Sequence, residues 1–286
     1  MPLDQIDVDR DMPDYGKPQS SGTEADQKEM SFLDHLEELR WHLVRSAISV
    51  IIFAIAVFAA GQIIFEKVIL APKEAWFITY QVICSISETL CFYPPEFDLM
   101  TVQLGEQFIV HLKVSVLLGL VVAFPYIFYE VWRFIRPGLY PNEQKAARGF
   151  VFICSFLFFL GVSFGYFIVS PFAVTFLAGY NVGAVSSPSL ASFVNYMTMF
   201  TIPTGVVFEL PVVVYFLSRI GLLYPDFMKQ YRRHAFVLIL ILSAIITPPD
   251  VVTQFLIGIP LYTLYELSII ICKRVVKKKE LEAANS

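Results

Sequence analysis

Three carboxylates stand where a carboxylate needs a reason. Glu38 falls just before the first long apolar run, Glu143 lies in the basic segment after the second, and Glu209 sits inside the fourth. An acid at the mouth of a membrane helix is a docking point for a cation. The planar fork of an arginine matches it in geometry as well as charge. An acid within a span is costly, faces protein or water, and marks function by default; the plain alternative is a contact between helices. Consecutive helices usually pack as neighbours, so Glu38 and Glu143 can share one patch. Nothing else in the chain suggests bond-making chemistry. There is no nucleotide loop and no nucleophile paired with a base, and the four cysteines and four histidines lack metal-ligand spacing. No enzymatic activity, cofactor, metal or nucleic acid is expected.

The stretch that carries Glu38, SFLDHLEELR, reads as a helix. Phe32, Leu33, Leu36, Leu39 and Leu43 recur at helical spacing and form an apolar stripe, with Asp34, Glu38, Trp41 and Arg45 opposite. Ser31 and Asp34 read as a cap, which suits a helix N-terminus. Glu38 lies nearly two turns in, beyond the reach of the helix dipole, so capping does not account for it.

The elements that position these acids are membrane helices. The 286 residues are 56% hydrophobic and only 16% charged, against about 25% charged for a soluble domain. The fold class is an all-α integral membrane protein with six transmembrane helices, at about 43–65, 108–134, 149–170, 192–220, 235–247 and 251–272. Residues 1–30 form an acidic tail, disordered by composition. Residues 31–274 form the membrane domain, and 275–286 a basic and then polar tail. Pro125 should kink the second span, and Lys113 should snorkel to the interface. Gly161 and Gly165, four apart, mark a close-packing face on the third. The fifth run covers only about 20 Å, against a hydrocarbon core of roughly 30 Å. Such a short segment implies a thinned bilayer, snorkelling or a protein neighbour that covers it.

Basic residues set the orientation. Arg40 and Arg45, the 133–148 and 219–233 loops and the 273–279 tail alternate with loops holding only Lys67 and Lys73, or nothing. The positive-inside rule then puts both termini in the cytoplasm. The 66–106 loop falls outside, where a disulfide between Cys84 and Cys91 is permitted, two unpaired thiols being the alternative.

Three function classes fit: a secondary transporter, a receptor or translocase for a polypeptide, and a structural membrane subunit. A proton-coupled transporter of a small solute would tend to show internal repeats and paired broken helices, and no repeat is evident.

Four motifs in order carry a resemblance: HLEELR (35–40), FYEVWRFIRPGLYPNE (128–143), FELP (208–211) and TPPDVVTQ (247–254). Together, over about Ser31 to Arg274, they resemble the TatC family, the multispanning subunit of the twin-arginine protein translocase. The resemblance implies a concave, glove-like bundle in the bacterial cytoplasmic (inner) membrane. It implies a receptor for the twin-arginine signal peptides of folded precursors, which exports them on the proton-motive force with single-span subunits of the TatA and TatB kind. Self-association and contact with membrane lipid come with that reading. It assigns Glu38 and Glu143 to the signal peptide, with Leu36, Arg40, Phe134 and Pro137 shaping the same surface. It makes Glu209 the intramembrane acid and places Thr247, Asp250 and Gln254 where partner helices dock. One departure stands out. Family members often continue the first motif with basic residues, where this chain has Trp41 and His42.

Overall fold

The structure is a computed structural model, and it describes residues 32–86, 88, 91–135, 147–180, 183, 187–247 and 251–284. The lead-in stretch and the first span form one helix, α1 (Phe32–Ala59). No Pro or Gly interrupts the run, so nothing ends it before Ala59. A single turn, Gly61–Ile64, and a wide turn, Phe65–Ile69, lead into a cap built from Ala71–Lys73 and α2 (Ile78–Ile86). The chain returns as α3 (Glu106–Ile135), which continues through Pro125 without interruption.

The third apolar run is longer than its sequence suggests. α4 (Ala147–Phe164) passes through a π-helical turn, Gly165–Val169, directly into α5 (Ser170–Gly179). Pro171 does not stop it: it falls in the first turn of α5, just after the π-helical turn, and the Phe167 carbonyl four residues back accepts the Thr79 hydroxyl in place of the missing N–H. α6 (Leu190–Val207) begins at Ser189, whose hydroxyl caps it by accepting from the Ser192 N–H at 3.1 Å. α7 (Leu210–Ile220) ends at Gly221, whose φ of +86° suits glycine. After α8 (Pro225–Gln230) come α9 (Arg232–Ile246) and α10 (Val251–Ala284). α10 carries through the expected tail boundary at 275, as the KKKELEAA run of strong helix formers allows.

Among the described residues, five helical stretches are long and apolar enough to cross a membrane: Leu36–Ala59, Glu106–Ile135, Gly149–Gly179, Leu190–Ile220 and Val251–Leu281. α9 has 15 residues, about 22 Å of helix, and makes the sixth member as the short one. α1 packs along α3, α3 along α4 and α6, and α10 along α7 and α9. The glycine face predicted on α4 is real. A Cβ at Gly161 would lie 2.8 Å from the Gly205 Cα, and one at Gly165 would lie 2.5 Å from the Phe200 carbonyl oxygen. The backbones of α4 and α6 therefore touch. The main core sits below this contact, where Val169, Phe200, Phe208, Ile239, Ile257 and Leu261 meet.

The cap is tied down by polar contacts. Tyr80 is fully buried and donates its hydroxyl to the Pro72 carbonyl at 2.8 Å. Cys84 and Cys91 are joined in a disulfide. Met100 pairs with the segment before α6, and the Leu190 N–H donates to its carbonyl at 2.9 Å. The Glu106 carboxylate accepts from the Val102 and Ala191 N–H groups at 2.7 and 2.8 Å, tying the start of α3 to the start of α6.

Candidate functional site: a carboxylate patch where α1 begins and α3 ends

Glu38 lies on the second turn of α1, its side chain 38% exposed. Four residues on, the His42 ring is buried and turns Nε2 toward Glu38, at 3.8 Å from Oε1. The other ring nitrogen, Nδ1, meets the Glu130 Oε2 of α3 at 2.5 Å. The Phe134 ring stands edge-on to the imidazole, with centroids 6.1 Å apart. Glu38 and Phe134 are thus brought to one patch by a histidine between them. Arg40 and Leu36 are exposed on the same helix turns. Glu143 and Pro137 lie outside the described residues, and so do Ser31 and Asp250.

The apolar stripe of α1 does not point into the bundle. Leu36, Leu39 and Leu43 are 44%, 42% and 69% exposed, while the face against α3 carries His42 and Ser49. Small and polar residues let the two helices approach closely: a Cβ at Gly119 would lie 2.7 Å from the Ala54 N atom. The leucines are left to face lipid, where an apolar surface is at no disadvantage.

Glu130 was the acid that sequence reasoning overlooked. It is 2% exposed and lies well inside α3. The rule that singled out Glu209, an ionisable group inside a span, applies to it equally. It stands four residues before the expected end of the second span, within the motif FYEVWRFIRPGLYPNE. Tyr126, one turn earlier on α3, lies beside the same carboxylate.

Glu209 occupies the break between α6 and α7. Pro211 has no N–H to give and crowds the carbonyl four residues back, so the chain tightens there and the Glu209 N–H bonds to Val206, three residues back, at 3.1 Å. The side chain is buried against the Cys154 thiol of α4, and neither carboxyl oxygen meets a donor in hydrogen-bonding geometry. Lys113 reaches the Asn195 side chain of α6. At the far end of the bundle, Thr247 is buried and donates to the Ser243 carbonyl at 2.8 Å. Gln254 donates to the Leu240 carbonyl at 3.1 Å, tying α10 to α9. Around it Val251, Val252, Phe255 and Ile259 are exposed. A cavity of about 610 Å³, walled by α3, α4 and α6 and roofed by the cap, is lined mainly by apolar groups, with Lys67 among its lining residues.

The family described as Sec-independent protein translocase protein (TatC) matches residues 34–260. The chain belongs to the TatC family. It is 36% identical over 265 residues to the Sec-independent protein translocase protein TatC of Blattabacterium sp. subsp. Periplaneta americana, covering 89% of this chain and 99% of that one. It is 34% identical to the TatC protein of Aquifex aeolicus, over 89% of this chain and all of the relative. A crystal structure described as the twin arginine translocase receptor TatC superposes with a TM-score of 0.65 at 33% identity, over 84% of this chain and 99% of the other. The fold is therefore that of a six-helix, multi-pass bacterial inner-membrane protein, and the TatC family is a component of a protein translocase.

Proposed function

We propose that this chain is the receptor and core subunit of a twin-arginine translocase. It holds the paired arginines of a signal peptide at its cytoplasmic face through Glu38 and Glu143. Leu36, Arg40, Phe134 and Pro137 border the same surface. The observation that carries this reading is the patch itself: the Glu38 carboxylate remains accessible on α1, while the end of α3, from which the 136–146 segment departs, is drawn to it through His42 and Phe134. A carboxylate held there presents acceptors to a guanidinium fork. Both chain termini lie in the cytoplasm in this reading, in keeping with the distribution of Lys and Arg. Single-span subunits of the TatA and TatB kind dock along the short α9 and the start of α10, beside Thr247, Asp250 and Gln254. The exposed Val251, Val252, Phe255 and Ile259 support that placement. Copies of the chain associate with one another and with lipid, and the proton-motive force drives export.

The test is capture of the intact protein by an immobilised twin-arginine signal peptide, with a twin-lysine peptide as control. Arginine should be strongly preferred, and a Glu38→Gln/Glu143→Gln double variant should lose the preference. Equal capture by both peptides, or an unaffected double variant, would remove the reading.

A further inference from the structure

The geometry around His42 points to a second role for that residue: we infer that a proton on His42 competes with the signal-peptide arginine for Glu38, so that binding the arginine expels the proton. This rests on the reading that Glu38 receives an arginine.

The argument begins with what each ring nitrogen faces. Nδ1 lies 2.5 Å from the Glu130 carboxylate, and an ionised carboxylate can only accept, so the hydrogen sits on Nδ1. Nε2 lies 3.8 Å from Glu38, a second acceptor. With Nε2 bare, a lone pair faces a carboxylate and nothing is gained. With Nε2 protonated, the imidazolium lies between two carboxylates and serves as the resting counter-ion of Glu38. Among the described residues, the other charged or titratable groups facing this cluster are Arg45 on α1, and Tyr126 and Arg133 on α3. Tyr126 lies beside Glu130; Arg45 interacts electrostatically with Glu130, and both arginines with Tyr126. The His42 and Glu130 side chains are 7% and 3% exposed, so water screens their interactions poorly.

An arriving guanidinium puts a second cation on Glu38 within a few ångströms of the imidazolium. Like charges so close repel, so the bound guanidinium disfavours the proton on Nε2. The proton leaves Nε2 for bulk water, while Nδ1 keeps its hydrogen on Glu130. The ring stays in place, held by Glu130 and by the Phe134 edge, so proton release requires no rearrangement of α1. Since the competition is reciprocal, lower pH must weaken peptide binding. Imidazole is the side-chain class that ordinarily changes charge near neutrality, which sets the pH range over which the test is run.

The experiment measures the Kd of a labelled twin-arginine signal peptide, free of histidine and blocked at both ends, for the full chain in lipid nanodiscs. Measurements run from pH 6 to 8 at fixed ionic strength. Kd should fall as pH rises, by up to about tenfold per pH unit for one exchanged proton. His42→Gln should flatten the profile. Glu130→Gln, which keeps the imidazole but removes one of its carboxylates, should alter the profile, and an unaltered one overturns the inference; it serves if His42→Gln does not fold. A flat wild-type profile, or an unchanged slope in His42→Gln, overturns the inference. A Glu38→Gln arm separates the two layers. If that variant binds as well as wild type, the arginine reading itself is wrong. If it binds weakly while His42→Gln keeps the wild-type slope, only the proton competition is wrong.

Discussion

His42 on α1 and Glu130 on α3 meet at 2.5 Å inside the bundle, and this contact is a polar tie between two helices that otherwise touch through small and apolar side chains. Removing one member of a buried charged pair leaves the other without compensation, which typically costs about 3 kcal/mol. His42→Ala and Glu130→Ala should each lower the thermal stability of the purified protein. Because each variant loses the same contact, a His42→Ala/Glu130→Ala double variant should be more stable than the sum of the single losses predicts. Thermal unfolding in one detergent, across the full mutant cycle, checks this.

The α4–α6 contact leaves no room at Gly165. The atoms in the way are the Phe200 carbonyl oxygen and the Thr201 Cα, which are backbone and cannot swing aside. Gly165→Val should destabilise by at least about 2 kcal/mol, the range of overpacked sites. Gly149→Ala is the control, since nothing lies within 4 Å of its added Cβ. It should be neutral or slightly stabilising, because Ala is the better helix former. Protease resistance of the two variants, measured side by side, should separate them.

The four cysteines should divide into two pairs by reactivity. Cys84 and Cys91 are bonded, and Cys154 and Cys272 are free and fully buried. Native protein should therefore label slowly at every site. Denatured, unreduced protein should expose two thiols, and denatured, reduced protein four. Mass spectrometry after maleimide labelling counts them, and four thiols without reductant would rule the bridge out.

Glu209 is buried with neither carboxyl oxygen hydrogen-bonded, an arrangement that adds nothing to stability. Glu209→Leu should leave the protein as stable as before, or more stable by about 1 kcal/mol. It should nevertheless lower export of a twin-arginine reporter, because a costly buried acid persists for function rather than for packing. Normal export by this variant would mark Glu209 as a passive contact.

Gln254 closes a hydrogen bond between α10 and α9, so Gln254→Leu should loosen that hairpin by about 1 kcal/mol. Cysteines at exposed Phe255 and Ile259, and at position 254, should crosslink to a single-span subunit in membranes. Crosslinks confined to other faces of the protein would argue against docking beside α9 and α10.

Composition and periodicity alone settled that this is a helical membrane protein, because an apolar run long enough to cross a bilayer has few other uses. They also placed the four-residue glycine spacing on α4, since close helix contact needs small residues at that interval. Position alone marks two acids: Glu38 stands just before the first apolar run and Glu209 inside the fourth. Helix ends were less legible. Pro171 reads as a stop, and it falls in the first turn of α5, where the Thr79 hydroxyl takes the carbonyl that proline leaves without an N–H.

What the sequence could not decide is which face of α1 turns inward. Its leucines recur at helical spacing as a core stripe would, but in a bilayer an apolar face is equally at home against lipid. Only packing against α3 resolved this: the crossing at Gly119 and Ala54 puts His42 inside and Leu43 outside. The same packing joined two residues 88 positions apart in the chain into one pair. Helical spacing alone makes His42 the neighbour of Glu38, four residues away; that the imidazole is buried and shared with Glu130 is what only the packing of α1 on α3 decides.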